Sequence, residues 1–174
     1  DASGAVQSAY DSLTTARIHV VLDISGEVAR SGWSGSVKRT RDMTISGLLG
    51  AETTRTFNGT GSETVQRSRT LDDGTKASFD MEGSFLHENV VVPVPGSDKK
   101  YPLSGKTTHR LKVSVVNGPK GDVTRDVTVV ITFDGDNTAT AVVNGETYEI
   151  DLDARPGAFP LKGGFGFGRG KRGP

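Results

Sequence analysis

The chain has 174 residues, with 21 Lys plus Arg against 21 Asp plus Glu, 33% hydrophobic residues, 23 Gly and no Cys. That length suits one domain with a core. The composition excludes disulfide scaffolds, thiol nucleophiles and thiolate metal sites, and no apolar run reaches the roughly 18 to 20 residues of a membrane-spanning helix. The formal charge of zero hides segregation along the chain: −3 over residues 1–27, +4 over 28–71, −6 over 72–153 and +5 over 154–174.

In chain order, Asp1, Ala2, Ser3, Gly4 and Ala5 form a small-residue run that suits the mature side of a signal-peptide cleavage. Export to a periplasmic or extracellular setting is the expectation. Val6, Ala9, Tyr10 and Leu13 recur at helical spacing behind Ser3, predicting one short helix within residues 1–15. From residue 16 to 153 the period changes to two. Ile18, Val20, Leu22 and Ile24 alternate with His19, Val21 and Asp23, and similar runs include Ala77–Met81, Leu111–Val115 and Val127–Phe133. Asn144-Gly145, between Val143 and Tyr148, predicts a type I′ hairpin. Asp73-Gly74, Asn117-Gly118-Pro119 and Asp134–Asn137 mark further turns, and Asn58-Gly59-Thr60 also reads as a hairpin turn.

About nine or ten short strands without crossover helices predict an all-β protein, an antiparallel sandwich or a curled meander or barrel. Val90 to Pro95 carries two prolines, so it reads as an edge segment followed by a long loop to Pro102. The pattern resembles the Thr- and Gly-rich β domains of bacterial envelopes, a likeness of composition.

Between Trp33 and Leu71 a weak recurrence at 14 residues aligns Arg41, Arg55 and Arg69. With turns centred near Leu48 and Ser62, Arg41 would face Arg55, and Arg55 would face Arg69, with Arg39, Phe57 and Arg67 in the next row. Opposed like charges destabilise a sheet by about 0.2 to 1 kcal/mol per pair, so five arginines around one Phe suggest a surface for an anion. The ligand would be an anionic glycan, a lipid headgroup or an acidic protein. A solvated sheet face is the plainer alternative, with Asp42, Glu52 and Glu63 near enough to offset part of the charge.

Catalytic and metal-binding patterns are sparse. His19, His87 and His109 are widely spaced, Asp134–Asn137 lacks the rest of an EF-hand loop, and no nucleophile elbow or phosphate-binding glycine loop is found. No cofactor, metal or catalytic residue is therefore expected, although a pair of carboxylates from distant strands stays open. Residues 154–174 form a basic Gly/Phe-rich arm bearing Phe159, Lys162, Phe165, Phe167, Arg169, Lys171 and Arg172. An arm of this kind would dock onto another protein or an anionic membrane surface rather than nucleic acid. These features together suggest a non-enzymatic accessory subunit of a membrane-associated envelope assembly, such as a respiratory or photosynthetic complex.

Overall fold

The computed structural model describes residues 1–153; residues 154–174, and with them the expected docking arm, lie outside the described part. Eight strands follow one another: β1 (Arg17–Arg30), β2 (Trp33–Ser46), β3 (Thr54–Thr70), β4 (Lys76–Pro93), β5 (Ser104–Val116), β6 (Val123–Phe133), β7 (Thr138–Val143) and β8 (Glu146–Asp151). They form a single antiparallel sheet in sequential order, with β1 and β8 at its edges. The all-β expectation holds. There are eight strands instead of nine or ten because β3 and β4 run 17 and 18 residues without a break.

Pairing only with sequence neighbours follows from the turns. Ser31-Gly32 joins β1 to β2, with Gly32 at φ 71°. Asn144 (φ 49°) and Gly145 (φ 91°) join β7 to β8, the two positive φ values that a type I′ turn demands. Asn144 fastens this hairpin to β6: its Oδ1 accepts from the Thr128 N–H at 2.7 Å, and its Nδ2 donates to the Asp126 carbonyl.

Three sequence-based expectations are corrected. The N-terminal helix is absent. Asp1 Oδ1 accepts from the amides of Ser3 and Ala5 at 3.0 and 2.8 Å, and Asp11 Oδ1 accepts from the amide of Leu13 at 2.7 Å. These carboxylates give the backbone a local partner in competition with a helical ladder, and Gly4 takes φ 90°. Val6 and Leu13 stay exposed, so the apolar stripe buries nothing against the sheet. The segment instead reaches the β2–β3 loop, where the Gly50 amide donates to the Ser12 carbonyl and Leu48 and Thr15 are buried.

Second, Val90–Pro93 is the end of β4, a strand flanked by β3 and β5, rather than a separate edge segment; Val92 and Pro93, past the last β4–β5 pair at Val91, pair with β3 alone, and the expected long loop follows up to Ser104. The ladder accommodates it through an irregularity between Glu88 and Val91, where Asn89 adopts φ 50° and gives its amide to Asn58 Oδ1 at 2.7 Å. Pro93 falls on the last pair of the ladder with Thr54, and Pro95 lies beyond it, so the missing amide donors cost the strand interior nothing.

Third, Asn58-Gly59 and Ser62 lie inside β3 instead of at turns. Gly59 and Gly61 are there for close packing. A Cβ on Gly59 would fall 2.2 Å from the Asp42 carbonyl oxygen, and one on Gly61 would fall 2.2 Å from a Phe85 ring carbon.

Candidate functional site

The register separates the strand residues into two unlike faces, because side chains of paired residues share a side of a sheet. One face carries Thr and Ser rows, including Thr40–Ser62–Ser84, with the lysines Lys38, Lys76, Lys106 and Lys112 and the acids Asp23, Asp42, Asp80, Glu82, Glu88, Asp126 and Glu149. The other carries most of the large apolar strand residues. Val28–Gly35–Arg67–Phe79–Val115–Val123 is one of its rows, and Ile24–Arg39–Glu63–Gly83–Leu111–Val127 and Leu22–Arg41–Gly61–Phe85–His109–Val129 are two more. Seven arginines stand on this apolar face: Arg30, Arg39, Arg41, Arg55, Arg67, Arg69 and Arg125. Its strand acids are only Glu63 and Glu146, so cations prevail on it while acids prevail on the other face.

A trough of about 670 Å³ crosses β2 to β5 on this face. Its floor is backbone, open at Gly83 and covered at Gly61 by the Phe85 ring. Gly61 and Gly83 contribute no side chains, so Thr40, Ser62, Ser84 and Arg110, whose own side chains point to the opposite face, line it as well. Val65, Met81 and Leu111 form the apolar middle, and Phe79 and Phe85 stand toward either end. Arg41 lies 5.9 Å over the Phe85 ring and Arg67 lies 5.9 Å over the Phe79 ring, both cation–π geometries. Arg39 Nη2 donates to Glu63 Oε1 at 2.7 Å, which compensates one of the cations.

Around Phe85 the rings of His87 and His109 gather at 4.9 and 6.4 Å, and the two imidazoles are 6.4 Å apart. His87 Nδ1 shares a hydrogen bond of 2.8 Å with Thr107 Oγ1, a buried hydroxyl. Burial lowers the proton affinity of His87, and the nearby His109 and Arg41 lower it further; burial alone lowers that of His109. His109 remains open to solvent on part of its surface. Both imidazoles therefore hold a proton less readily than a free imidazole does. Beside the trough, and sharing Arg67 and Phe79 with it, a second hollow of about 450 Å³ is lined by Trp33, Arg69, Val115 and Pro119. The Trp33 ring lies over Gly35, where a Cβ would sit 3.4 Å from it.

All six residues expected to form the arginine face, Arg39, Arg41, Arg55, Phe57, Arg67 and Arg69, share this side of the sheet. The expected stacking of like charges does not occur. Since β3 is continuous, Arg55 and Arg69 lie near its opposite ends; Arg41 pairs with Gly61, Arg55 with Val92, and Arg69 with Trp33 and Ala77. Arg55 donates to the Gly47 carbonyl at 3.4 Å, away from the trough. Of the three acids expected to offset the charge, only Glu63 does so; Asp42 is on the other face, bonded to His19. Sequence reasoning missed Trp33, Phe79, Phe85, His87 and His109, although Phe79-x-Met81-x-Gly83-x-Phe85-x-His87 is an unbroken period of two.

Elsewhere, Asp136 Oδ1 accepts from the amide and hydroxyl of Thr138, which accounts for that acidic turn. Among the described residues no three His, Asp or Glu side chains are placed to share a metal ion. A roomier hollow of about 750 Å³ beside the N-terminal segment is lined mainly by small Ala, Gly, Ser and Thr residues. Comparison with protein-family models, curated proteins and solved structures finds no match for this chain.

Proposed function

We propose that this protein is a non-enzymatic binding module that takes an anionic ligand with an apolar body onto the arginine-bearing face. The observation that carries this reading is the company the arginines keep. A merely solvated face would mix Lys, Glu and Thr, as the opposite face does, whereas here guanidinium groups rise from rows of Val, Met, Leu and Phe over a floor of glycine backbone. Such a surface attracts a negative charge and offers apolar contact at once, which suits a lipid better than a glycan. Trp33, the single tryptophan, borders the arginine end and supplies the assay. Anionic amphiphiles should shift its emission and raise the melting temperature, with a response that weakens in salt. Replacing Arg41, Arg67 and Arg69 together by Ser should remove that response; an undiminished response would sink the reading.

A second reading, docking of the basic arm onto a membrane-associated envelope assembly, draws support from the concentration of five cations in residues 154–174. Removing residues 156–174 should then release the protein from membranes or from a co-purifying complex, and unchanged retention would refute it. The exported, periplasmic or extracellular setting belongs to this same reading, and cell fractionation tests it.

A further inference from the structure

Resting on the ligand reading above, we infer that the face binds one long-chain fatty carboxylate in a set orientation, its head at Trp33, Arg67 and Arg69 and its chain along the trough over Gly83. The cations of this face are not equivalent. Arg39 is held by Glu63 at 2.7 Å, and Arg55 is turned to the Gly47 carbonyl. Arg41 and Arg67 both lie 5.9 Å over a phenylalanine ring, Phe85 and Phe79, but Arg39, the cation two residues from Arg41, is paired with Glu63, whereas Arg69, two residues from Arg67, has no such pair among the described residues. Arg67 and Arg69 form no ion pair among the described residues, and both line the hollow under Trp33. They stand two apart on β3 and so project to the same side, where a planar carboxylate can accept from either guanidinium.

From that head the way for a chain is marked by what is missing. Gly35 opposes Arg67 and Arg41 opposes Gly61, so six residues of β2, about 20 Å, separate the two rows. Between them the trough presents Val65, Met81 and Leu111 around Gly83, with the Arg39–Glu63 pair already neutralised at its side. The absent side chain at Gly83 is not demanded by the backbone. Its φ is not positive, and a Cβ there would meet nothing closer than 3.8 Å. Gly83 therefore leaves a channel that a larger residue could fill without disturbing the strand.

Two other occupants fit less well. A second copy of the sheet laid face to face would oppose arginines with arginines, and the chain's own arm, carrying five cations and no acid, would meet the same repulsion.

The test uses the full chain with oleate and, as its uncharged counterpart, oleyl alcohol, followed by Trp33 emission and calorimetry. Wild type should bind one oleate per chain. Replacing Arg67 and Arg69 by Ser should weaken oleate about tenfold or more while leaving the alcohol almost unchanged. Gly83→Leu should weaken both ligands, with Gly83→Ala intermediate, and circular dichroism should show an unaltered sheet for both variants. Equal loss of acid and alcohol in the arginine variant, or full affinity in Gly83→Leu, overturns the orientation. If dodecyl phosphate binds wild type and oleate does not, the carboxylate is wrong while the binding face stands. If no anionic amphiphile binds, both fail. A dimer by light scattering that dissociates in the arginine variant, or oleate binding that appears only after residues 156–174 are removed, assigns the face to a second copy or to the arm and likewise refutes the inference.

Discussion

Gly59, Gly61 and Gly83 lie on one face of two adjacent strands, yet their tolerance of a methyl group should differ sharply. Gly59 combines φ 144° with a Cβ position 2.2 Å from a backbone oxygen, so Gly59→Ala forces main chain apart. Gly61→Ala meets first the Phe85 ring and then the Thr40 carbonyl at 2.8 Å, while Gly83→Ala meets ordinary contacts. Thermal melts should rank them in that order. Gly59→Ala should lose at least the roughly 1–3 kcal/mol typical of overpacking, Gly61→Ala somewhat less, and Gly83→Ala close to nothing. A second residue-level expectation concerns His87 and His109. Their proton affinities are lowered by folding, so the unfolded chain binds more protons than the folded one as pH drops through about 6.5, the ordinary imidazole value. Stability is complete above that pH and declines as acid is added. Melting temperatures between pH 7.5 and 5 should fall, and His87→Gln combined with His109→Gln should flatten the decline. An unchanged slope in the double variant would locate the effect in other groups.

At the scale of elements, the β7–β8 hairpin offers the cleanest test of turn chemistry. Asn144→Ala removes two hydrogen bonds to β6 and places a Cβ-bearing residue without a polar side chain at positive φ. It should cost about 1–2 kcal/mol in chemical denaturation, and Asn144→Gly should cost less because glycine meets the φ demand. That hairpin was readable because Asn-Gly with alternating flanks has one good solution. Asn58-Gly59 has the same pattern and a different meaning, since its glycine answers the approach of Asp42 and Met43 from β2, the strand alongside. The arginine face was legible in the same partial sense. Parity placed Arg39, Arg41, Arg67 and Arg69 on one side correctly, but opposition across strands depends on where the turns fall, and a turn assigned at Ser62 divided a strand that is whole. The N-terminal stripe failed for a different reason: helical spacing cannot show that Asp1 and Asp11 would capture the neighbouring amides.

For the molecule as a whole, burial is the unusual quantity. Among the described residues no large side chain is fully buried, and Val20, Leu22, Ile24 and Val28 of β1 are all exposed. Among the described residues the two best-covered apolar ones, Ala139 and Ala141, sit at the β7–β8 end, with Ile150 also buried there. There the β4–β5 loop reaches across, its Tyr101 hydroxyl donating to Asp153 Oδ1 at 2.6 Å. Because heat capacity follows the apolar surface exposed on unfolding, calorimetry of the free chain should give less than the usual 12–15 cal/mol/K per residue or so. A value in the usual range would mean that the apolar face is covered in solution. The two-sided charge has a separate, chemical corollary. Lysines of the strands all lie on one side and most strand arginines on the other. Amine acylation and dicarbonyl modification of guanidines would therefore address opposite surfaces of the same sheet, so the protein can be tethered through its strand lysines with the arginine trough left facing the solution.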